Sequence, residues 1–199
     1  MSDTVEPRQP LSPAKRKRLQ QSFEHASKMM SGGNYDYAHE LFTQCVVGDP
    51  ANVLYARNLL GNLQKKYNNN KKGSKMAAIR GAGAKGSGKK AALQKDWLSV
   101  LKSGIEVLKL NPWDTSTLVA MATACEHLEY EECEQAYLRA ALEADMKDPE
   151  INRQAGRAAR LSRTTGRIAL GSRQGGQTRM QDGRVVEVRD LRVDFPLES

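Results

Sequence analysis

The chain has 199 residues, enough for one domain with tails or one repeat array, with 39% hydrophobic and only 6% aromatic residues. No stretch approaches the ~20 apolar residues of a membrane-crossing helix, and the start, "MSDTVEPRQPLSPAKRKRL", lacks the apolar run of a signal peptide. The net charge of +8 is concentrated: residues 50–95 hold 11 Lys and Arg and no acid, whereas the rest holds 20 basic against 23 acidic residues. A patch of this kind favours an anionic partner: nucleic acid, an acidic protein face or a membrane surface.

Residues 1–12 read as a disordered tail. The first predicted helix opens at Pro13, with Ser12 as its cap and Leu19, Phe23, Ala26 and Met30 as its apolar stripe. Gly33-Asn34 supplies a turn and a second cap. Tyr35, Ala38, Phe42, Cys45 and Val46 then recur at helical spacing up to Pro50. The next helix, "NVLYARNLLGNLQKKY", has Ala56, Leu59, Leu60 and Leu63 at three-to-four spacing. Trp97, Val100, Leu101, Ile105 and Leu108 mark a further one, closed by Pro112. From Pro50 to Pro112 is 62 residues, one 34-residue period plus 28. The excess matches residues 68–95, which therefore read as an insertion between the two helices of one repeat.

That insertion contains "GAGAKGSGKK", Gly81 to Lys90, with the spacing of a phosphate-binding loop up to its last position. Lys90 stands where a hydroxyl should hold Mg²⁺. The preceding "NNNKKGSKMAAIR" is too polar for the buried strand such a loop needs, and no carboxylate lies near. The expectation is a mobile, solvated basic loop. Its candidate polyanion-binding residues are Lys65, Lys66, Lys71, Lys72, Lys75, Arg80, Lys85, Lys89, Lys90 and Lys95, with Lys15–Arg18 as an adjunct. No aromatic residue lies between Tyr67 and Trp97, so base stacking is not expected and any nucleic-acid contact would be unspecific and salt-dependent.

Further on, Leu118, Met121, Ala122 and Cys125 mark one helix and Cys133, Ala136, Tyr137 and Ala140 another. Asp148-Pro149 opens a last one, "EINRQAGRAARL". After Leu161 an Arg- and Gly-rich stretch replaces the expected partner helix. Residues 163–199 are expected to be a disordered tail, despite strand-like alternation around Val186–Phe195. A sharper expectation, set against that one, is that they replace a lost repeat, as a shifted reading frame would leave them. Three cysteines, odd in number and without a C-x-x-C pair, fit a reduced cytoplasm and small packing positions. His25, His39 and His127 have no ligand spacing with them, so neither a metal nor another cofactor is expected. No nucleophile–base set is present, and catalysis is not expected.

The order Ala38, three residues, Phe42, then Pro50 resembles one half of a tetratricopeptide (TPR) repeat. Three phased copies extend the resemblance over about Leu19–Leu161. More narrowly, "YNNNKKGSKMAAIRGAGAKGSGKKAALQKDW" with "LKLNPWDTSTLVAMATACEHL" resembles an uncharacterised family of bacterial TPR proteins with a basic insertion. The resemblance implies an all-α helical-hairpin solenoid over 13–162, of three repeats and a partial fourth, acting as a non-catalytic scaffold. It implies a concave groove for a protein or peptide partner, at Gln20, Phe23 and Ser27; Leu54, Arg57, Asn58 and Gln64; and Ser116, Val119, Thr123 and Glu126. The TPR co-chaperones clamp a C-terminal carboxylate with Lys and Asn; Phe23 and Ser27 stand at those positions here, which argues against that ligand. An uncapped flank at the incomplete fourth repeat would favour self-association.

Overall fold

The computed structural model describes residues 11–174, with side chains described to Leu161. The chain divides into two units, residues 1–162 and 163–199. Residues 1–10 and 175–199, with the strand-like stretch and most of the expected C-terminal tail, lie outside the described residues.

All regular structure described is α-helical, as the sequence pattern predicts. The helices are α1 (Pro13–Ser31), α2 (Tyr35–Gly48), α3 (Val53–Lys66), α4 (Ala77–Arg80), α5 (Ala82–Leu93), α6 (Trp97–Leu108), α7 (Thr115–His127), α8 (Glu131–Ala144) and α9 (Pro149–Gln174). Helix α9 runs past the boundary expected at residue 162; no proline interrupts residues 163–174, and Gly166 and Gly171 weaken a helix without ending it. Side-chain caps fix six starts, among them α9, where Asp148 accepts from Glu150 N–H (2.8 Å) and Ile151 N–H (3.1 Å). Ser12 accepts from Lys15 N–H (3.3 Å), Asn34 from Tyr37 (3.4 Å), Asn52 from Leu54 (3.1 Å), Asp96 from Ser99 (3.1 Å) and Asp114 from Thr117 (3.0 Å).

Successive helices pack as antiparallel hairpins: α1 on α2, α2 on α3, α5 on α6, α6 on α7 and α7 on α8. One apolar seam runs through them, with Phe42, Leu59, Leu63, Ile105, Leu108, Leu118, Met121 and Tyr137 fully buried. The predicted stripes supply it. Small residues set the closest approaches. A Cβ on Gly104 of α6 would lie 2.6 Å from Met121 Cγ of α7, and one on Gly48 of α2 would lie 2.6 Å from a Leu19 methyl of α1. All three cysteines are free and buried, the expected packing role; burial pushes the Cys45 thiol up to about 11.

The insertion departs from expectation in two ways. First, residues 77–93 are helical rather than a loop. The reason is a small-residue face: Ala84, Gly88, Ala91 and Ala92 let α5 lie close along α6, with a Cβ on Gly88 meeting Ser103 Cβ at only 3.4 Å. The entrance is fixed where Ser74 N–H donates to Leu110 O (2.8 Å), and Gly73 adopts φ +70° hard against Leu110 and Asn111.

Second, α3 and α6, expected to pair as the two helices of one repeat, do not. The Tyr67 hydroxyl donates to Lys109 O (2.9 Å), so the two C-terminal ends meet, which an antiparallel hairpin forbids. One full helix, α5, intervenes and reverses the direction of everything after it. It takes α6 as its own hairpin partner. Helix α3 instead lies parallel to α8, joined at one end by Cys133 Sγ to Pro50 O (3.4 Å) and at the other by Gln64 Nε2 to Glu143 Oε2 (3.4 Å).

Candidate functional site

The eleven predicted groove residues do not line one surface. Phe23 is packed between Phe42 (ring centroids 5.7 Å) and Tyr55 (5.2 Å), so its ring belongs to the seam. The Ser27 hydroxyl donates to Phe23 O (2.9 Å), Asn58 to Leu54 O (2.9 Å) and Gln20 to Glu24 (3.1 Å): these polar groups are engaged within their own helices. Leu54 is 57% exposed. Val119 is half-buried against the core, and Thr123 is half-buried on the same helix. Both carboxylate oxygens of Glu126 accept from a single nitrogen, Nη2, of the Arg157 guanidinium on α9, at 2.9 Å each.

Arg57 and Gln64 do come together, in a groove of about 340 Å³ between α3 and α8. Its floor is Leu60 and Gly61 on one side and Ala136 and Ala140 on the other; its rim is Arg57, Gln64, Arg139 and Glu143. Small floor residues produce the concavity, because neither helix fills the space between their axes. A Cβ built on Gly61 meets no atom within 4 Å, so this glycine opens directly onto free volume. Gln64 and Glu143 bridge one end. Arg57 and Arg139 are exposed and make no ion pair among the described residues. Two free guanidiniums beside a small apolar floor can bind carboxylates or backbone carbonyls of a peptide while its side chains enter the cleft. Sequence reading missed the α8 half. The available signal was Arg139 and Glu143, four apart and interleaved with Ala136 and Ala140, a face too small to be core alone.

Ser116 belongs to a different place, a mainly apolar groove of about 150 Å³ among α5, α6 and α7. At its rim Lys85 pairs with Asp114, and Ser116 Oγ donates to Asp114 Oδ1 (2.6 Å). Burial pushes the Asp114 carboxyl up, but hydrogen bonds from Lys85, Ser116 and the Thr117 N–H outweigh it and hold the group below the usual carboxylate range.

The phosphate-loop spacing has no matching geometry. Gly83, Gly86 and Gly88 lie inside α5, and the described glycines with positive φ are Gly33 and Gly73 alone. From Lys85 onward the N–H groups point along the axis to carbonyls four residues back, as Lys85 N–H does to Gly81 O (2.9 Å), so the stretch is a helix and not a phosphate-cradling loop. Of the ten predicted polyanion-binding residues, Lys66 and Lys85 are half-buried and paired with Asp36 and Asp114. The other eight, Lys65, Lys71, Lys72, Lys75, Arg80, Lys89, Lys90 and Lys95, are exposed. Among the described residues no cluster of three or more His, Cys, Asp or Glu could hold a metal ion, and no helix is long and apolar enough to cross a membrane.

No protein-family model matches the chain, and no curated protein matches it in sequence. Among solved structures it is similar to the first TPR of Spaghetti (RPAP3) bound to the HSP90 peptide SRMEEVD. The identity is 14%, the match covers 73% of this chain and 93% of that one, and the TM-score is 0.34.

Proposed function

We propose that the chain is a non-catalytic interaction scaffold that holds an extended segment of a protein partner in the α3–α8 groove. The observation that carries this reading is the groove itself: two parallel helices with a small apolar floor and a rim bearing two arginines that make no ion pair among the described residues. Rigid helices on both sides pre-organise the cleft, so a peptide would meet a surface already shaped.

Gly61 supplies the test. It sits mid-helix and faces free space, so Gly61→Leu would fill the cleft without strain and would slightly favour the helix. Peptides selected from a random library on the native chain are expected to bind the variant at least roughly tenfold more weakly, the cost of losing one buried apolar contact. Arg57→Ala with Arg139→Ala should weaken the same peptides. Peptides that bind both variants with native affinity would place the partner surface elsewhere.

A second reading, association with a polyanion through the insertion, is favoured by a separate observation. Lys71, Lys72, Lys75, Arg80, Lys89 and Lys90 are exposed and make no ion pair among the described residues. Arg80, Lys89 and Lys90 are carried on the helices α4 and α5, and Lys71, Lys72 and Lys75 on the turns that lead into them; fixed helices lower the cost of presenting these charges together.

A further inference from the structure

The outward face of the insertion carries more than charge. Helix α4 runs into α5 through Gly81, which keeps right-handed helical angles (φ −82°, ψ −11°), accepts from Lys85 N–H and donates its own N–H to Ala77 O. Residues 77–93 thus form one nearly continuous helical segment. Its inward side is set by burial: Gly81 and Ala91 are buried, and Ala84, Gly88 and Ala92 are half-buried against α6. The opposite side, at three-to-four spacing, is Ile79, Gly83, Gly86, Lys90 and Leu93. Ile79 is 73% exposed and Leu93 87%, the latter the most exposed of the large apolar side chains described, and Met76 at the start of the segment is 45% exposed. A Cβ on Gly83 or Gly86 meets nothing within 4 Å, so the middle of this face is smooth and open. Lys75, Arg80 and Lys89 flank it, and no acidic residue occurs between Asp49 and Asp96.

Two exposed aliphatic side chains about 21 Å apart along a helix axis, separated by glycines and bordered by lysines, suit one class of polyanion. A nucleic-acid phosphate backbone gives exposed aliphatic side chains nothing to bury against, and the segment offers no aromatic ring for a base. An anionic bilayer offers both a negative surface for the lysines and an apolar layer just beneath it for Ile79 and Leu93. Lysine stems can lie along the apolar boundary with their ammonium groups at the phosphates. Self-pairing of this face is opposed by its own like charges. We infer that the α4–α5 face docks on anionic lipid surfaces, with Lys75, Arg80, Lys89 and Lys90 against the headgroups and Ile79 and Leu93 seated in the interface. This rests on the polyanion reading and names its target class.

The test uses the full chain and phosphatidylcholine vesicles with or without roughly 30% phosphatidylserine, at about 0.1 M salt. Sedimentation is expected to bring the protein down only with the anionic vesicles. Ile79→Ser with Leu93→Ser leaves every charge in place and alters only exposed side chains; it is expected to lower the partition coefficient about tenfold or more. Lys75→Gln, Arg80→Gln, Lys89→Gln and Lys90→Gln together should reduce binding to that of neutral vesicles. Circular dichroism and melting checks that both variants fold. Lipid binding indifferent to Ile79 and Leu93 would overturn the inference. A parallel titration with duplex and single-stranded oligonucleotides of about 30 nucleotides separates the two levels of the argument. Nucleic-acid binding without vesicle binding overturns the lipid inference and leaves the polyanion reading standing. Binding to neither overturns both.

Discussion

His39 shows how a single buried group ties stability to solution conditions. It lies in α2 with its Nε2 3.5 Å from the Thr43 hydroxyl, while its Nδ1 finds no hydrogen-bond partner among the described residues. Burial, reinforced by the nearby Lys109 and Lys66 charges and partly offset by Asp36, lowers its pKa from 6.5 to about 4. The folded state therefore keeps the ring neutral at pH values where the unfolded chain already takes up a proton. The resulting stability is fully present above pH ~6.5 and is lost as pH falls toward ~4. Between pH 7 and pH 5 the fold is expected to lose roughly 2 kcal/mol from this group. Denaturant titrations at the two pH values check it, and His39→Leu should flatten the difference. A slope unchanged by that substitution would assign the effect to other groups. None of this was legible in the sequence, where His39 differs from His25 and His127 only in its place on the apolar side of a helix.

Among the elements, α5 is the one that composition hides. Five glycines and a run of lysines in and before it predict a mobile loop. The helix forms because tertiary packing overrides propensity: Ala84, Gly88, Ala91 and Ala92 present a flat strip that α6 covers. That strip has helical spacing and was readable in principle, but alanine and glycine carry too little apolar signal to stand out from a Gly-Lys background. The glycines also divide by role. Gly88 faces Ser103, whereas Gly83 and Gly86 face open space, have no positive φ and only weaken the helix. Gly83→Ala and Gly86→Ala are each expected to stabilise α5 by about 0.5–1 kcal/mol. Slower amide exchange confined to α5 and the adjoining α6 would show it; unchanged or faster exchange would mean that these positions are needed small. By contrast, α2, α6 and α7 were readable in full, because Phe42, Ile105 and Leu118 are large, fully buried and repeated at strict helical spacing.

For the whole molecule, the helical-hairpin class followed from periodicity, but the pairing of α3 did not. Helix direction depends on how many helices intervene, and a segment read as loop counts as none where α5 counts as one. The predicted groove residues scattered for the same reason: positions matched repeat by repeat fall on different faces once one helix is added. The insertion is accordingly part of the framework. Deleting residues 68–95 removes the partner of α6 and uncovers Val100, Ser103, Gly104 and Val107. The shortened chain is expected to lose at least about 3 kcal/mol, a melting-temperature drop of roughly 10 °C or more. A variant that melts at the native temperature would show that α3 and α6 can pair directly after all. The parallel seam of α3 and α8 carries a kinetic consequence. Nearly every other contact in the array joins neighbouring helices, but this one joins residues 79 and 83 positions apart. Closing so long a stretch is entropically costly until the intervening hairpins exist. The seam is therefore expected to form late, after α8 has left the ribosome and the intervening hairpins are in place. A partner segment that binds there would meet a chain whose intervening hairpins are already folded.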